Sequence, residues 1–246
     1  MTYIPTSQYD IMGDSFKKYE GTPAHIITRR TILDLVGDVR GQSVLDLGCG
    51  YGFWGRELKR AGAARVVGVD ISKRMIALAR EESQKHGDDV EFYVGDANEA
   101  LLGEHFDLVV AICLFNYAET LQNLQNMFRN VAGYLHSGGR LVAQIVNPDY
   151  QLNKGNFNIY GATVLEQEFS DGKYNCKAMH DGSATNAFKY IQWSQKAYED
   201  AIKMAGFSSF YWKSLIPQAG DIDMFPKGFW DNYRDNCLFK ALVCKL

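Results

Sequence analysis

Val44-Leu45-Asp46-Leu47-Gly48-Cys49-Gly50-Tyr51-Gly52-Phe53 is an apolar run that ends in an acid and then breaks into three alternate glycines. Glycines at 48, 50 and 52 let a backbone approach a ligand and adopt dihedrals that a β-carbon forbids. Asp70 closes the next apolar run, about twenty residues further on, where a carboxylate can accept hydrogen bonds from both vicinal hydroxyls of a ribose. Asp96, in Val94-Gly95-Asp96-Ala97, ends the third run and can accept from an exocyclic adenine amine. The glycine spacing is G-x-G-x-G, so Phe53 stands where a dinucleotide-binding G-x-G-x-x-G would place its last glycine. Asp46 lies too near this turn to tolerate a pyrophosphate, and suits an amine and a sulfonium instead. Carboxylates at three strand ends describe a cationic adenosine derivative, not a dinucleotide.

Five segments rich in Val, Ile, Leu and Phe read as the strands that carry these residues: Val44–Asp46, Val66–Val69, Glu91–Val94, Phe106–Ile112 and Arg140–Val146. Between them, Ser72 can cap a helix with Met75, Ile76, Leu78 and Ala79 on its buried stripe. Leu121, Leu124, Met127, Phe128, Val131 and Leu135 recur at steps of three and four, an amphipathic helical pattern. Helices between consecutive strands predict a doubly wound α/β fold with right-handed crossovers. After Asn147 the pattern changes. Residues 148–193 are rich in Asn, Gly and Tyr, with β-prone pieces at Ala162–Phe169, Tyr174–Met179 and Ala187–Trp193. Ser194 then caps a helix running to about Ala205 and stopped by Gly206, and Phe207–Leu215 and Leu238–Leu246 predict two more strands. The expected organisation is one structural domain in four parts: an N-terminal lid with helices (1–40), a ligand-binding core (41–147), a β-rich insertion after the fifth strand (148–193), and a completing helix and hairpin (194–246). Insertions on this side of an open α/β sheet tend to cover the ligand crevice.

The chain resembles the class I S-adenosylmethionine-dependent methyltransferases through Val44–Gly52, Asp70-Ile71, Gly95-Asp96-Ala97, Phe106-Asp107-Leu108-Val109 and Leu135-x-x-Gly138-Gly139-Arg140-Leu141, in that order. The resemblance implies a seven-stranded, mostly parallel sheet with an antiparallel last strand. It implies S-adenosylmethionine as cosubstrate and S-adenosylhomocysteine as product; the five histidines show no metal spacing, so no metal is expected. Carried over residue by residue, it puts the amino-acid end of the cosubstrate against Asp46, Gly48 and Gly50, with Cys49 and Phe53 in the same loop. The ribose falls to Asp70, the adenine between Ile71 and Met75, and the adenine amine to Asp96 beside Ala97. Leu114 and Asn116 fall near the methyl-bearing sulfur. Tyr9-Asp10-x-x-Gly13-Asp14-x-Phe16-x-x-Tyr19 looks like the lid helix of small-molecule members, where Tyr9 or Tyr19 would cover the methionine moiety.

A narrower resemblance, to azapteridine N-methyltransferases of the toxoflavin type, rests on Gly37–Gly41, Cys49–Phe53, Leu114–Ala118, Lys154–Phe157 and the tail Cys237–Lys245. It implies methylation of a ring nitrogen of a planar heteroaromatic. An acidic ring N–H loses its proton readily, so positioning carries the reaction. Asn116 and Tyr117 are the expected catalytic pair, orienting the acceptor, and Tyr9, Phe157, Trp193 and Trp230 the expected walls of its slot. Among the histidines, His180 in the insertion is the one retained as a candidate base. The alternatives are an O-methyltransferase for a phenolic or carboxylate natural product, an aminopropyl transferase, and a non-catalytic domain of the same fold.

Composition narrows the field further. With 26 Lys+Arg against 29 Asp+Glu the chain has a formal net charge of −3, no electrostatic footprint for a nucleic acid. Its longest strongly apolar run, Leu108–Ala118, is about half of the ~20 residues a membrane span needs. The start, Met-Thr-Tyr-Ile-Pro, lacks a cationic region followed by an apolar one. Five cysteines without C-x-x-C argue against a disulfide framework or zinc site. The expectation is a cytoplasmic monomer or homodimer acting on a small molecule.

Overall fold

The computed structural model describes residues 18–99, 103–180 and 187–246. Tyr9 and the lid motif as far as Phe16 lie outside them. In chain order the main elements begin with α1 (Pro23–Val36), β1 (Ser43–Leu47), α2 (Phe53–Arg60), β2 (Arg65–Asp70), α3 (Lys73–His86), β3 (Glu91–Val94) and β4 (Phe106–Ile112). There follow α4 (Leu121–Gly133), β5 (Leu135–Val146), β6 (Thr163–Ser170), β7 (Lys173–Met179), β8 (Phe188–Gln192) and α5 (Gln195–Met204). The chain closes with β9 (Ser209–Ser214), the short helices α6 (Ala219–Ile222) and α7 (Asp231–Asp235), and β10 (Phe239–Lys245).

Helix starts follow the capping residues: the side chains of Thr22, Ser72, Thr120 and Ser194 accept from the backbone N–H three residues on, and Pro23 occupies the first turn of α1. Seven strands form one sheet in the order β3-β2-β1-β4-β5-β10-β9. The pairings from β3 through β5 are parallel, while β10 runs antiparallel to both β5 and β9. Successive strand residues face opposite layers, so the central strands β1, β2 and β4 are buried on both faces, while the edge strands β3 and β9 are partly exposed. Val44, Val66, Leu108 and Val110 pack with Ile27, Leu58 and Ile76 of α1, α2 and α3. Leu45, Val67, Val109 and Ala111 pack with Leu124 and Phe128 of α4 and Ile202 of α5. Strand order reverses between β1 and β4, which opens a crevice at the carboxyl ends of the strands.

Between β5 and α5 the chain builds a separate antiparallel sheet, β6-β7-β8. Two local features depart from the sequence expectation. The fifth strand starts at Leu135 rather than Arg140, because Leu135 already pairs with Phe106 and the irregular Gly138-Gly139 stretch is absorbed as a register shift. Residues 216–237 hold α6 and α7, too short for periodicity to show.

Candidate active site

A cavity of about 470 Å³ lies at the crevice. Its floor is the glycine turn, pinned by the Gly48 and Cys49 amides donating to the Val69 carbonyl at 2.7 and 3.0 Å. Gly50 has φ +53° and a β-carbon there would meet nothing within 4 Å, so its backbone faces open space. Gly52, at φ +78°, is required for another reason: a β-carbon would stand 2.7 Å from the Phe92 ring. The Asp70 carboxylate joins this loop to the next turn, accepting from Gly50 N and Ser72 N, each at 2.8 Å. Ile71, Met75, Ala97 and Leu114 line the adjoining stretch, and Ile71 stays 38% exposed despite its apolar side chain. Asp96 also lines it, its Oδ1 accepting from Asn98 N and Nδ2. These residues suit an adenosine: a carboxylate for the sugar diol, apolar faces for the base, a carboxylate for its amine, and open backbone beside Gly50.

Asp46 departs from expectation. It does not line the cavity but is buried under the turn, where Oδ2 accepts from Gly55 N at 2.8 Å in the first turn of α2. Burial pushes its pKa up to about 7, opposed by the Gly55 hydrogen bond and assisted by the nearby charge of Asp70. A carboxyl raised in the folded state adds stability that is complete below its unfolded value of about 4 and is lost as pH rises through 7. Asp46→Asn, which keeps the acceptor oxygen, is therefore expected to flatten that dependence. It should gain on the parent by up to about 4 kcal/mol at pH 8 and much less at pH 5, measured by urea unfolding.

The other half of the cavity is closed by α1, the ends of β4, β5 and β10, and the β6-β7-β8 sheet. Ala162 and Ala178 leave room there, while Phe53, Phe188, Tyr190 and Phe239 supply aromatic walls. Polar atoms remain unmatched. Tyr19 Oη, Thr28 Oγ1, Asn116 Oδ1 and Gln144 Oε1 are buried without a hydrogen-bond partner, and all four residues line the cavity. Buried polar atoms cost roughly 1–3 kcal/mol each when unsatisfied, so such a cluster marks a ligand's place. Tyr19 lies against His25 and His180, with ring centroids at 5.6 and 4.9 Å, and the neighbouring Glu20 accepts a hydrogen bond from the Tyr51 hydroxyl. This segment therefore fastens across the glycine turn.

Of the residues expected from sequence, Tyr19, Gly48, Cys49, Gly50, Phe53, Asp70, Ile71, Met75, Asp96, Ala97, Leu114, Asn116 and Tyr117 all line the one cavity. Phe157, Trp193 and Trp230 do not. Phe157 is fully buried among Tyr160, Tyr233 and Phe239. Trp230 stacks on Tyr160 and donates to the Asp221 carbonyl. Trp193 donates to the Ala118 carbonyl at 3.0 Å and lies under the Lys173 ammonium. Each indole N–H already has a partner, and these rings fasten the insertion to the sheet. Sequence reasoning missed His25, Thr28 and Gln144. A signal existed for Gln144, the single polar residue within Leu141–Val146. His25 and Thr28 share a face of α1 at i, i+3 spacing.

Residues 44–139 match the family model described as a methyltransferase domain. The demethylmenaquinone methyltransferase of Lactococcus lactis is 32% identical over 207 residues, which span 79% of this chain and 72% of that protein. The chain belongs to the class I S-adenosylmethionine-dependent methyltransferases. The ribosomal protein L11 methyltransferase of Chromobacterium violaceum is 32% identical over 123 residues, half of this methyltransferase but only 38% of that longer protein. An S-adenosylmethionine-dependent methyltransferase from Mesorhizobium loti shares the fold, with a TM-score of 0.68 at 20% identity, covering 93% of this chain and all of that one. The family model ends at residue 139, before Gln144 and the β6-β7-β8 sheet that close the second half of the cavity.

Proposed function

We propose that this methyltransferase modifies a ring nitrogen of a small planar heteroaromatic, an azapteridine of the toxoflavin-precursor type. The observation that carries this reading is the pair of buried side-chain amides, Asn116 and Gln144, facing the second half of the cavity with unmatched oxygens. A carboxamide presents an acceptor and a donor side by side. The same alternation runs along the edge of a lactam heterocycle, as when Asn or Gln reads a base edge. Phe53, Phe188 and Tyr190 give such a ring flat apolar neighbours. A simple phenol or carboxylate would leave most of these polar atoms unmatched.

In this reading Asp70 holds the ribose, Ile71 and Met75 flank the adenine, Asp96 takes its amine, and the turn from Gly48 to Gly50 receives the amino-acid end. S-adenosylmethionine supplies an electrophilic methyl carbon on a sulfonium. Asn116 and Tyr117, just past β4, orient the acceptor ring, while Tyr19 and the insertion sheet exclude water. Holding the two partners in line is worth roughly 7–11 kcal/mol of barrier. The five free cysteines accord with a reducing, cytoplasmic setting.

The test is incubation with methyl-labelled cosubstrate and a panel of pteridine-like, purine-like, phenolic and carboxylate acceptors, with the labelled atom located by NMR. Label is expected on ring nitrogen; label on phenols alone would remove the nitrogen reading. Asn116→Ala and Gln144→Ala should each lower kcat/KM for the preferred acceptor by about 5–150-fold, while affinity for S-adenosylhomocysteine stays unchanged.

A further inference from the structure

We infer that the hydroxyls of Thr28 and Tyr19 hold an exocyclic oxo oxygen of the acceptor, so that α1 and the segment leading into it select a heterocycle by its carbonyl. The assignment rests on the heterocyclic-acceptor reading above and adds to it two residues that set acceptor specificity.

Thr28 lies within α1, 2% exposed, and lines the cavity. A threonine inside a helix commonly satisfies its hydroxyl on the carbonyl three or four residues back. Thr28 does not: its Oγ1 is buried and has no hydrogen-bond partner among the described residues. The site thus forgoes a local bond and carries the cost of an unsatisfied hydroxyl. Valine has nearly the same shape and would fill the space without that cost, so packing gives no account of the oxygen.

Tyr19 is fastened to the same helix. Its carbonyl accepts from Thr22 N at 3.1 Å and from Thr22 Oγ1 at 2.8 Å, and Thr22 is the N-cap of α1. Its ring rests against His25, which precedes Thr28 by one helical step on the same face. The Tyr19 hydroxyl is also buried without a partner. Burial, with smaller contributions from Cys113 and Cys237 nearby, drives this phenol well above its usual range, so it stays protonated and donates. Cys113 directly follows β4 and precedes the loop that carries Asn116, which sets the Tyr19 hydroxyl beside that loop.

The balance of donors and acceptors identifies the ligand group. The unmatched Asn116 and Gln144 oxygens only accept and call for N–H on the ligand, whereas the two hydroxyls each bring a hydrogen and call for a lone pair. Gln144 alternates with Val142 and Val146 on the face of β5 that packs with Ile27, next to Thr28. Donor and acceptor sets therefore come from elements packed on one another. An oxo oxygen has two lone pairs and takes both hydroxyls, while an N–H on the same lactam edge faces the carboxamides.

The test titrates the full chain, saturated with S-adenosylhomocysteine, with lumazine and with the two mono-oxo pteridines that each lack one of its carbonyls. Thr28→Val and Tyr19→Phe remove the hydroxyls alone. Each is expected to weaken lumazine binding by about 2–12-fold, the equivalent of one net hydrogen bond. One mono-oxo pteridine should show the same loss. The other, lacking the contacted oxygen, should bind wild type and both variants alike, with S-adenosylhomocysteine affinity unchanged. Thermal unfolding supplies a signature of opposite sign. Thr28→Val should raise the Tm of the ligand-free protein, because an unsatisfied hydroxyl leaves the interior, and should reduce the further rise that lumazine produces. Equal losses for all three probes, or no loss for lumazine, would overturn the assignment. Weakened S-adenosylhomocysteine binding in Tyr19→Phe would give that hydroxyl to the cosubstrate and overturn the pairing. If Tyr19→Phe does not fold, the probe pattern of Thr28→Val decides. A wild-type protein that binds none of the three probes removes the heterocyclic-acceptor reading, and this assignment with it.

Discussion

Asp70→Ala is expected to weaken S-adenosylhomocysteine binding by about 10²–10⁴-fold, because two charge-assisted hydrogen bonds to a ribose diol contribute roughly 1.5–3 kcal/mol each. The structure adds a second loss. Asp70 is the acceptor that ties Gly50 N to Ser72 N across the two turns. Removing it leaves both amides unsatisfied and loosens the cradle itself. Asp70→Asn keeps an acceptor for one turn amide and should fall between wild type and Ala. Calorimetric titration checks the affinities, and thermal unfolding with and without ligand gives an independent readout, since the ligand-induced rise in Tm should vanish in Asp70→Ala. Affinity within tenfold of wild type would place the ribose elsewhere.

Trp193→Ala is expected to act on folding and not on the acceptor. Trp193 is 5% exposed, and its Nε1 donates to the Ala118 carbonyl. Truncation opens a cavity and strands that carbonyl, mechanisms that together cost about 3–5 kcal/mol. The effect belongs in the denaturant midpoint, with the acceptor's KM unchanged in the fraction that remains folded. A raised KM with unaltered stability would contradict the placement of this ring and restore it to the cavity wall.

The contrast between these residues explains what a linear reading reaches. Asp70, Gly50 and Asp96 are legible because each sits where a strand stops, and a strand end adjoining a glycine turn leaves few alternatives for a carboxylate. Asp46 stands near the end of the same kind of strand but turns inward to the Gly55 amide of α2, because β1 is central and its end is roofed by its own loop. No spacing rule separates these two outcomes. The aromatics are harder still. Phe188 and Tyr190 reach the cavity, while Phe157, Trp193 and Trp230, equally aromatic and in or beside the same insertion, fill the space between sheets. For Phe188 and Tyr190 the facing depends on the register of β8, where a shift of one residue exchanges the faces, whereas Phe157, Trp193 and Trp230 lie outside the strands and are placed by tertiary packing.

By itself, the amino-acid sequence determined the doubly wound sheet, the helix starts at Ser72 and Ser194, and the cradle for a cationic nucleoside, since period, capping and strand-end chemistry are properties of neighbours along the chain. Tertiary structure alone decided that Thr28, Asn116, Gln144 and His180, contributed by α1, the β4 and β5 ends and the insertion, share one chamber. Their chemistry arises from proximity between distant segments, fixed by packing across the strand-order reversal, and the local pattern of residues carries no record of it.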